Sequence, residues 1–494
     1  MSDGAAFGLF AALLLGAVGV GEGLRVWAGW RPEASRRAVH VGVGLATAAC
    51  PPLFSGPGPV YAMAAAFVVA NGVALRQRWL PAMHAVERRS WGTVTFPLAL
   101  LVALALCWSL SDRVYVLQTA FAVLALADPA AAWVGESVRR PGRYTLAGAT
   151  KSAAGSAAFA VVAGTVTAAM LTALGPPTFG PAQVAAGALT VAVLGAAVEA
   201  LGRAGWDNLW IVLAAVVPLA HLDAHPEAAG LHAVGLAAAV LFGVGTYRAR
   251  FLDASGAVAG AVFGWMLVAL GGVAWAVPAL VFFVASSLLS RLGRRRKAAA
   301  ESRAEKGSRR DAGQVAANGG VGAALLALAV FVPEPALYWA FVGAFAAAAA
   351  DTWATEIGTL VGGPTRRLGI GPRVPPGTSG GVSAAGTAGA ALGALVVAAS
   401  GALAAGPTLA AGGLGAVGVV LLVAGSGVAA ALVDTALGAT VQARYRSADG
   451  GLTERAEEAG RPLPLAAGRR WIGNDLVNFA ATLVGGLLPL LVLW

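Results

Sequence analysis

Long apolar stretches recur from one end of this 494-residue chain to the other. As a helix, a stretch of roughly 17–25 apolar residues is long enough to cross the hydrocarbon core of a bilayer. Only 12% of the residues are charged, about half of the ~25% that is usual in a soluble domain. The sequence therefore predicts an all-α polytopic membrane protein with little chain left for a soluble domain.

The apolar pattern divides into about sixteen transmembrane helices. The predicted spans are 5–24, 38–54, 59–75, 93–110, 114–136, 152–174, 182–201, 207–221, 229–246, 256–271, 273–290, 318–333, 337–360, 380–402, 408–433 and 472–493. The first span lacks the basic start and small-residue cleavage site of a signal peptide, so we expect a retained helix.

The basic residues provide an independent test of this topology. Of the 34 Lys and Arg residues, 33 fall in alternate loops of the span pattern, and only Arg113 falls on the other side. Basic loops stay cytoplasmic. We therefore expect an integral inner (cytoplasmic) membrane protein with a cytoplasmic basic face and both termini outside. Topology accounts for the net charge of +10, so no nucleic-acid partner is expected.

The cysteine and histidine content limits other chemistry. Two cysteines cannot form a disulfide framework or a cysteine-rich metal site. Five histidines without HExxH-type spacing argue against zinc.

One carboxylate stands at the cytoplasmic end of a predicted span. Asp128 precedes a basic, glycine-rich loop that contains Arg139, Arg140, Arg143 and Lys151. A charged Asp in a membrane helix costs about 2.5–3.5 kcal/mol on insertion scales and usually faces a polar cavity. The simpler alternative is an interfacial Asp paired with a nearby Arg.

The pattern around Asp128 occurs a second time, around Asp351. A glycine follows each Asp by seven residues, and a basic loop and a small polar turn come next. Thr150-Lys151-Ser152 forms the first turn and Thr378-Ser379-Gly380 the second. The recurrence favours a functional reading over an isolated ion pair.

Further landmarks repeat in the same order. Glu199 and Asp434 each end a span, and "WDNLWIVL" and "GNDLVNFAATLVG" each start the next one. We infer two related parallel domains, 1–247 and 248–494, the first with one additional helical hairpin.

These residue types suit a phosphorylated ligand. Glycine and small hydroxyl residues at a helix start leave backbone N–H groups for phosphate. Lys and Arg add positive charge, and Asp or Glu can hold Mg²⁺ that bridges phosphate oxygens. The GxxxxGK[ST] loop is absent, which excludes a Walker-type site. The residues alone thus predict binding of a cytoplasmic phosphorylated ligand beside lipid.

Linked motifs add a family resemblance. The first half resembles the phytol kinase and dolichol kinase family of CTP-dependent polyprenol kinases, across about 30–215. Its motifs are "RRAVHVGVG", "ADPAAAWVGESVRRPGR", "GATKSAAGS" and "VEALGRAGWDN". The second half resembles the integral-membrane family that contains plant phytyl-phosphate kinases, across about 253–485. Its motifs are "EKGSRRDAGQVAANGGV", "ADTWATEIG", "RVPPGTSGGVSAAGT", "DTALGATVQ" and "NDLVNF".

The resemblance implies two consecutive phosphorylations. A prenyl alcohol, such as phytol or geranylgeraniol, would become a monophosphate and then a diphosphate. The donor would be a nucleoside triphosphate, CTP in the family, used with Mg²⁺. The expected partners are prenyl alcohol and prenyl phosphate lipids, the nucleotide and the bilayer.

Roles follow for the first half. The expected catalytic residues are His40, Asp128 and Lys151. The expected metal ligands are Asp128, Glu199 and Asp207. The expected nucleotide and phosphate contacts are Arg36, Arg37, Arg139, Arg143 and Ser152. A lone histidine is more often structural, and that alternative stays open for His40.

The second half receives corresponding roles. The expected catalytic residue is Asp351, which is also a metal ligand together with Asp434 and Asp475. The expected phosphate contacts are Arg309, Arg373, Thr378, Ser379 and Gly380. Ser379 stands where Lys151 would align, so Arg373 or Lys306 would have to supply the charge.

Two other functions compete with a two-step kinase. A CTP-dependent lipid cytidylyltransferase also uses acidic, glycine-rich motifs, but its terminal "KD…HGG…DR" signature is absent. A membrane transporter would explain the repeats, but transporter sites lie near the midplane on broken helices, whereas these charges crowd one interface.

The topology leads to a labelling prediction. Cysteine introduced at position 307 or 369 should react with an impermeant thiol reagent only from the cytoplasmic side. Mg·CTP should slow the labelling at position 369. Labelling of position 369 from outside sealed cells would contradict both the topology and the site.

Overall fold

The computed structural model describes residues 1–77, 90–293, 305, 309–407, 413–448, 450–458 and 460–494. Within these residues the long helices are α1 Asp3–Val26, α2 Pro32–Ala49, α3 Gly58–Gln77, α4 Gly92–Leu104, α5 Val114–Ser137, α6 Ala153–Leu174, α7 Pro181–Leu201, α8 Asp207–Ala224, α9 Ala229–Arg248, α10 Ala254–Met266, α11 Gly272–Arg291, α12 Ala312–Ala329, α13 Pro335–Val361, α14 Ala384–Ala404, α15 Ala416–Thr440 and α16 Asn474–Leu493. Every predicted span overlaps one of them. Lys306 and position 307 lie outside the described residues.

Short elements connect or extend the helices. One-turn 3₁₀ helices cover Pro51–Leu53 and Pro226–Ala228, and π-helical turns at Ala105–Ser109 and Leu267–Gly271 extend α4 and α10. The strands are β1 Arg143–Leu146, β2 Ala149–Ser152, β3 Arg366–Arg367, β4 Gly381–Val382, β5 Arg444–Arg446, β6 Leu452–Thr453, β7 Glu457–Glu458, β8 Arg461–Pro462 and β9 Leu465–Ala467. All the paired strands are antiparallel.

Thirteen helical stretches in the described part of the chain are long and apolar enough to cross a membrane. One of them, Ala254–Arg291, joins α10 and α11. Helices α2 and α13 are not among the thirteen, although both were predicted as spans. Helix α2 carries three charged residues in its first half, and α13 is rich in alanine and ends in two carboxylates. Both are more polar than a lipid-facing helix.

The predicted start of α12 at 318 is too late. Asp311 caps the helix, because its Oδ1 accepts a hydrogen bond from the Gln314 N–H at 2.9 Å. Gln314 Oε1 in turn accepts a hydrogen bond from the Asp311 N–H at 3.2 Å, which completes a capping box. The capped first turn is polar, so an apolar pattern alone does not include it.

The chain forms two compact units, Met1–Leu236 and Ala237–Trp494. The division falls inside α9, earlier than the predicted boundary at 247/248. We call the two parts unit 1 and unit 2.

Each unit has one central helix. In unit 1, α5 packs against α2, α6 and α8. In unit 2, α13 packs against α11, α12, α14, α15 and α16. Every residue of α13 from Ala336 to Ala350 is buried. Small side chains let neighbouring helices approach this closely.

The order of helix packing is the same in both units. The pairs α2–α5, α5–α6, α6–α7, α7–α8 and α5–α8 of unit 1 correspond to α12–α13, α13–α14, α14–α15, α15–α16 and α13–α16 of unit 2. The α3–α4 pair is inserted between α2 and α5, whereas residues 330–334 join α12 directly to α13. The packing agrees with a parallel repeat that has one additional hairpin in its first half.

A β-hairpin follows the central helix in each unit, and a serine then caps the next helix. Ser152 accepts a hydrogen bond from the Gly155 N–H at 3.1 Å, and Ser383 accepts one from the Gly386 N–H at 3.1 Å. Ser152 therefore corresponds to Ser383, and the predicted match of Ser152 with Gly380 is wrong. The β3–β4 pairing uses Gly381 and Val382, so α14 starts later than the polar turn.

Glycine sets the contact between α13 and α16. A Cβ added to Gly343 would lie 2.3 Å from the Gly485 carbonyl oxygen, and one added to Gly485 would lie 2.5 Å from the Ala347 Cβ. Both distances are shorter than van der Waals contact. The two backbones therefore touch, as in small-residue packing motifs of membrane helices.

This contact predicts a strong effect of side-chain size. Gly343→Leu should lower the melting temperature of the detergent-purified protein, because overpacking costs typically 1–3 kcal/mol and more where backbone is struck. Gly425→Leu is the control, since a Cβ at Gly425 meets no atom within 4 Å. Equal melting temperatures for the two variants would contradict the α13–α16 contact.

Candidate functional site

Unit 1 contains a cavity of about 1650 Å³ that joins a polar end to an apolar arm. The polar end is lined by side chains at the start of α2, the end of α5, the β1–β2 hairpin and the α7–α8 junction: Arg36, Arg37, His40, Asp128, Arg143, Lys151, Ser152, Glu199 and Asp207. The apolar arm is lined from α1, α3 and α4 by Phe10, Leu14, Met63, Phe67 and Leu100. The cavity thus suits a ligand with a charged head and an apolar tail.

Lys151 and Glu199 form the main ion pair at the polar end. Lys151 Nζ lies 2.5 Å from Glu199 Oε1, and the Glu199 side chain is only 8% exposed. Burial lowers the pKa of Lys151, but the negative charges of Glu199, Asp207 and Asp128 outweigh it and leave the pKa above its ordinary value. The ammonium group therefore stays charged and faces three carboxylates.

The His40 side chain contacts the backbone of α5. The His40 Nε2 lies 3.2 Å from the Leu124 carbonyl oxygen, which can only accept, so this nitrogen carries the proton. It also lies 4.0 Å from Asp128 Oδ2. The ring packs edge-on against Phe96 at 5.8 Å between centroids. His40 therefore makes a structural contact with α5 and also lines the cavity. Its catalytic role stays a prediction.

The arginines predicted to bind phosphate differ in position. Arg37 donates to Glu136 at the cavity wall. Arg36 and Arg143 are exposed and line the polar end. Arg139 is exposed and lies outside that lining. The predicted phosphate contacts of unit 1 therefore line one cavity, with the exception of Arg139.

A second group of polar side chains lies in unit 2. The Asp351 and Asp434 carboxyls, from α13 and α15, share a hydrogen bond. Asp434 Oδ2 is buried and has no hydrogen-bond partner among the residues that the structure describes. A proton or a cation between two neighbouring carboxyl groups relieves their repulsion.

The acid pair continues into a loop that the sequence did not single out. Ser379 donates to Glu454, and Glu454 also accepts a hydrogen bond from the Glu305 N–H. Burial raises the pKa of Glu454, although the hydrogen bond from Ser379 opposes this effect. Glu454 lies within electrostatic range of both Asp351 and Asp434. These carboxyls therefore form one acidic group, which we call the unit 2 acid cluster: Asp351, Asp434 and Glu454.

The remaining predicted residues of unit 2 lie in other contacts. Arg309 donates to the Leu252 carbonyl at 3.2 Å, and Arg373 is exposed beside β3. Thr378 Oγ1 donates to the Pro375 carbonyl at 2.7 Å. Gly380 has φ +78° and packs against α15. Asp475 lies in the first turn of α16. Of the predicted phosphate contacts in unit 2, Ser379 hydrogen-bonds to Glu454 of the acid cluster.

Mg²⁺ would fit the carboxylates of each unit differently. Within the described residues, no group of three or more His, Cys, Asp or Glu side chains is spaced to hold a metal. Mg²⁺ commonly takes only one or two protein carboxylates and completes its shell with water and phosphate. The Asp351–Asp434 pair, with its unpartnered oxygen, fits this pattern. In unit 1, Glu199 is paired with Lys151, so Asp128 and Asp207 are the carboxylates that could hold Mg²⁺.

The helices and their charged residues define a polytopic integral membrane protein with buried or half-buried carboxylate groups on the helices of both repeats. The chain belongs to the family of integral membrane proteins DUF92, whose sequence model matches residues 237–486. The match begins at the first residue of unit 2.

Two curated relatives are similar at low identity. Protein PGR of Arabidopsis thaliana is 28% identical over 155 residues, which cover 28% of this chain and 54% of that protein. The chain thus spans about half the length of this relative. Uncharacterized membrane protein MJ0933 of Methanocaldococcus jannaschii is 27% identical over 248 residues, covering 50% of this chain and 87% of that protein. No solved structure matches the chain.

The Lys151–Glu199 pair predicts a test of stability. Lys151→Met should lower the unfolding free energy by about 3–5 kcal/mol, because it leaves a buried carboxylate without its partner. Melting temperatures in detergent measure this loss. The double variant Lys151→Met/Glu199→Leu should recover most of it. A double variant as unstable as the single one would contradict the pairing.

Proposed function

We propose that the protein phosphorylates an isoprenoid alcohol twice, in unit 1 to the monophosphate and in unit 2 to the diphosphate, with CTP as donor. The cavity of unit 1 carries the proposal. It offers an apolar arm for a prenyl tail and, at its other end, cations and carboxylates for a nucleotide. The family resemblance of both halves supports the order of the two steps.

Unit 1 provides groups for each part of the first reaction. Phosphoryl transfer depends mostly on positioning and charge neutralisation. Lys151 and Arg143 would bind the donor phosphates at the polar end. Asp128 and Asp207 would hold Mg²⁺, which would neutralise negative charge on the phosphates. The prenyl tail would lie along Phe10 and Met63 in the apolar arm.

The acceptor hydroxyl must lose a proton as it attacks. His40 Nε2 already donates to the Leu124 carbonyl, so this nitrogen does not accept it. Asp128 lies beside His40 with a carboxylate oxygen 4.0 Å from that nitrogen. We assign proton acceptance to the Asp128 carboxylate oxygen that would not hold Mg²⁺, and positioning of the hydroxyl to His40.

Unit 2 would perform the second transfer beside the acid cluster. Its acceptor already carries a phosphate, which repels the donor phosphates. Bringing the two together requires additional positive charge, and Arg pairs well with phosphate. Arg367 and Arg444 lie near Ala439 at the end of α15, where they would supply this charge.

Product analysis tests the reaction itself. Purified protein incubated with Mg·CTP and geranylgeraniol should form first the monophosphate and then the diphosphate, resolved by mass spectrometry. A CDP-lipid product would instead identify a cytidylyltransferase. No covalent change in any prenyl alcohol of a panel would favour a transporter.

Two carboxylate variants should separate the steps. Asp128→Asn should abolish phosphorylation of the alcohol while conversion of monophosphate to diphosphate continues. Asp351→Asn should accumulate the monophosphate. Asp112→Asn is the control, because Asp112 lies in the α4–α5 connection, away from the cavity lining. Loss of both steps in either variant, in a protein that folds and inserts normally, would refute the two-site arrangement.

A further inference from the structure

Two buried hydrogen-bond donors in unit 2 have no partner among the residues that the structure describes. The Gln442 side chain belongs to a residue that is 2% exposed, and Arg444 is 7% exposed. Gln442 Nε2 and Arg444 Nε are both buried without a hydrogen bond. A buried donor left unsatisfied costs about 1–3 kcal/mol, and more when it is charged. Two such donors close together in the sequence indicate a group that accepts from both.

Both side chains lie near the end of α15, where the chain enters β5. Gln442 precedes the strand by two residues, and Arg444 is its first residue. Gln442 Oε1 lies 3.2 Å from Ser379 Oγ. Arg444 Nη2 donates to the Ala439 carbonyl at the end of α15, at 3.2 Å. The unpartnered nitrogens thus belong to side chains anchored at their other polar atoms.

A second guanidinium adds positive charge at the same place. Arg367 Nη2 donates to the same Ala439 carbonyl oxygen. Burial, and then the neighbouring charge of Arg367, lowers the pKa of Arg444. Two like charges that share one neutral acceptor repel each other. An anion between them would remove this repulsion, and a guanidinium presents a planar fork that matches phosphate.

Acceptor groups lie immediately beside these donors. Ser379 contacts both Gln442 and Glu454, so it links the donors to the acid cluster. Glu454 also lies within electrostatic range of Arg444. Hydrogen-bond donors and carboxylates thus lie close together through Ser379, and a phosphate group with a bound cation requires both.

We infer that Gln442, Arg444 and Arg367 form a phosphate-binding subsite in unit 2 that receives the phosphate monoester of the acceptor lipid. The phosphate chemistry rests on the unpartnered donors. The choice of the acceptor lipid rests on the proposed function.

Phosphate binding is tested first, without any kinase assay. Inorganic phosphate is titrated into the full-length protein in detergent by calorimetry. Arg444→Gln and Gln442→Met should each lower the affinity of one class of phosphate site at least tenfold or remove that class. Arg446→Gln is the matched control, because Arg446 is an exposed residue of the same strand. Wild-type affinity and stoichiometry in both variants would overturn the subsite.

Two variants guard against a loss of folding. Arg444→Lys keeps the charge but removes the Nε donor, so it should bind phosphate more weakly than wild type and more tightly than Arg444→Gln. Gln442→Met keeps the volume of the side chain. Both should match the wild-type elution profile on size exclusion. Wild-type phosphate affinity in correctly folded Arg444→Lys and Gln442→Met would contradict the inference.

The source of the phosphate is tested by kinetics with geranylgeranyl monophosphate and CTP. Arg444→Lys should raise KM for the monophosphate at least tenfold and leave KM for CTP unchanged. A rise confined to CTP would show that the subsite binds the donor and would overturn the assignment to the acceptor. Phosphate binding that depends on Gln442 and Arg444 in a protein without kinase activity would retain the subsite and refute the proposed function.

Discussion

Charge pairing inside apolar helix bundles is the constraint on which both candidate sites depend. Lys151 is bound to Glu199 in unit 1, and Asp351 shares a hydrogen bond with Asp434 in unit 2. An isolated charge among membrane helices is costly, so such groups persist only with a partner or beside a polar cavity. In unit 1 the pair joins the β1–β2 hairpin to the end of α7, and in unit 2 it joins α13 to α15, so each pair fixes where a charged ligand can bind.

Much of the fold follows from the sequence because lipid imposes long apolar helices. All sixteen predicted spans overlap helices, and the repeated order of landmarks agrees with the repeated packing. The sequence could not locate the serine that corresponds to Ser152, since the loop before Ser383 differs in length. Only the β-hairpin and the contact of Gly358 with Ser383, which matches that of Gly135 with Ser152, identify it.

The site is less predictable than the fold. Asp128, Lys151, Glu199 and Asp207 are conspicuous because they interrupt apolar stretches or adjoin their ends, and the cavity gathers them. Glu454, Gln442 and Arg444 belong to the polar segment between α15 and α16, where charged residues are common and none stands out. The alternation of Gln442 and Arg444 with Ala443 and Tyr445 was the available signal. It becomes informative once the pairing of β5 is known.

The α3–α4 pair gives the two repeats different walls. These helices supply Met63, Phe67 and Leu100 to the apolar arm in unit 1, whereas α12 connects directly to α13 in unit 2. If the two units act in sequence as proposed, unit 1 would select the hydrocarbon chain when it binds the alcohol. Unit 2, which lacks the α3–α4 insertion, would then recognise the phosphorylated headgroup. Selectivity for the hydrocarbon tail would then arise in the first step alone. Every lipid that unit 1 phosphorylates would be converted to the diphosphate.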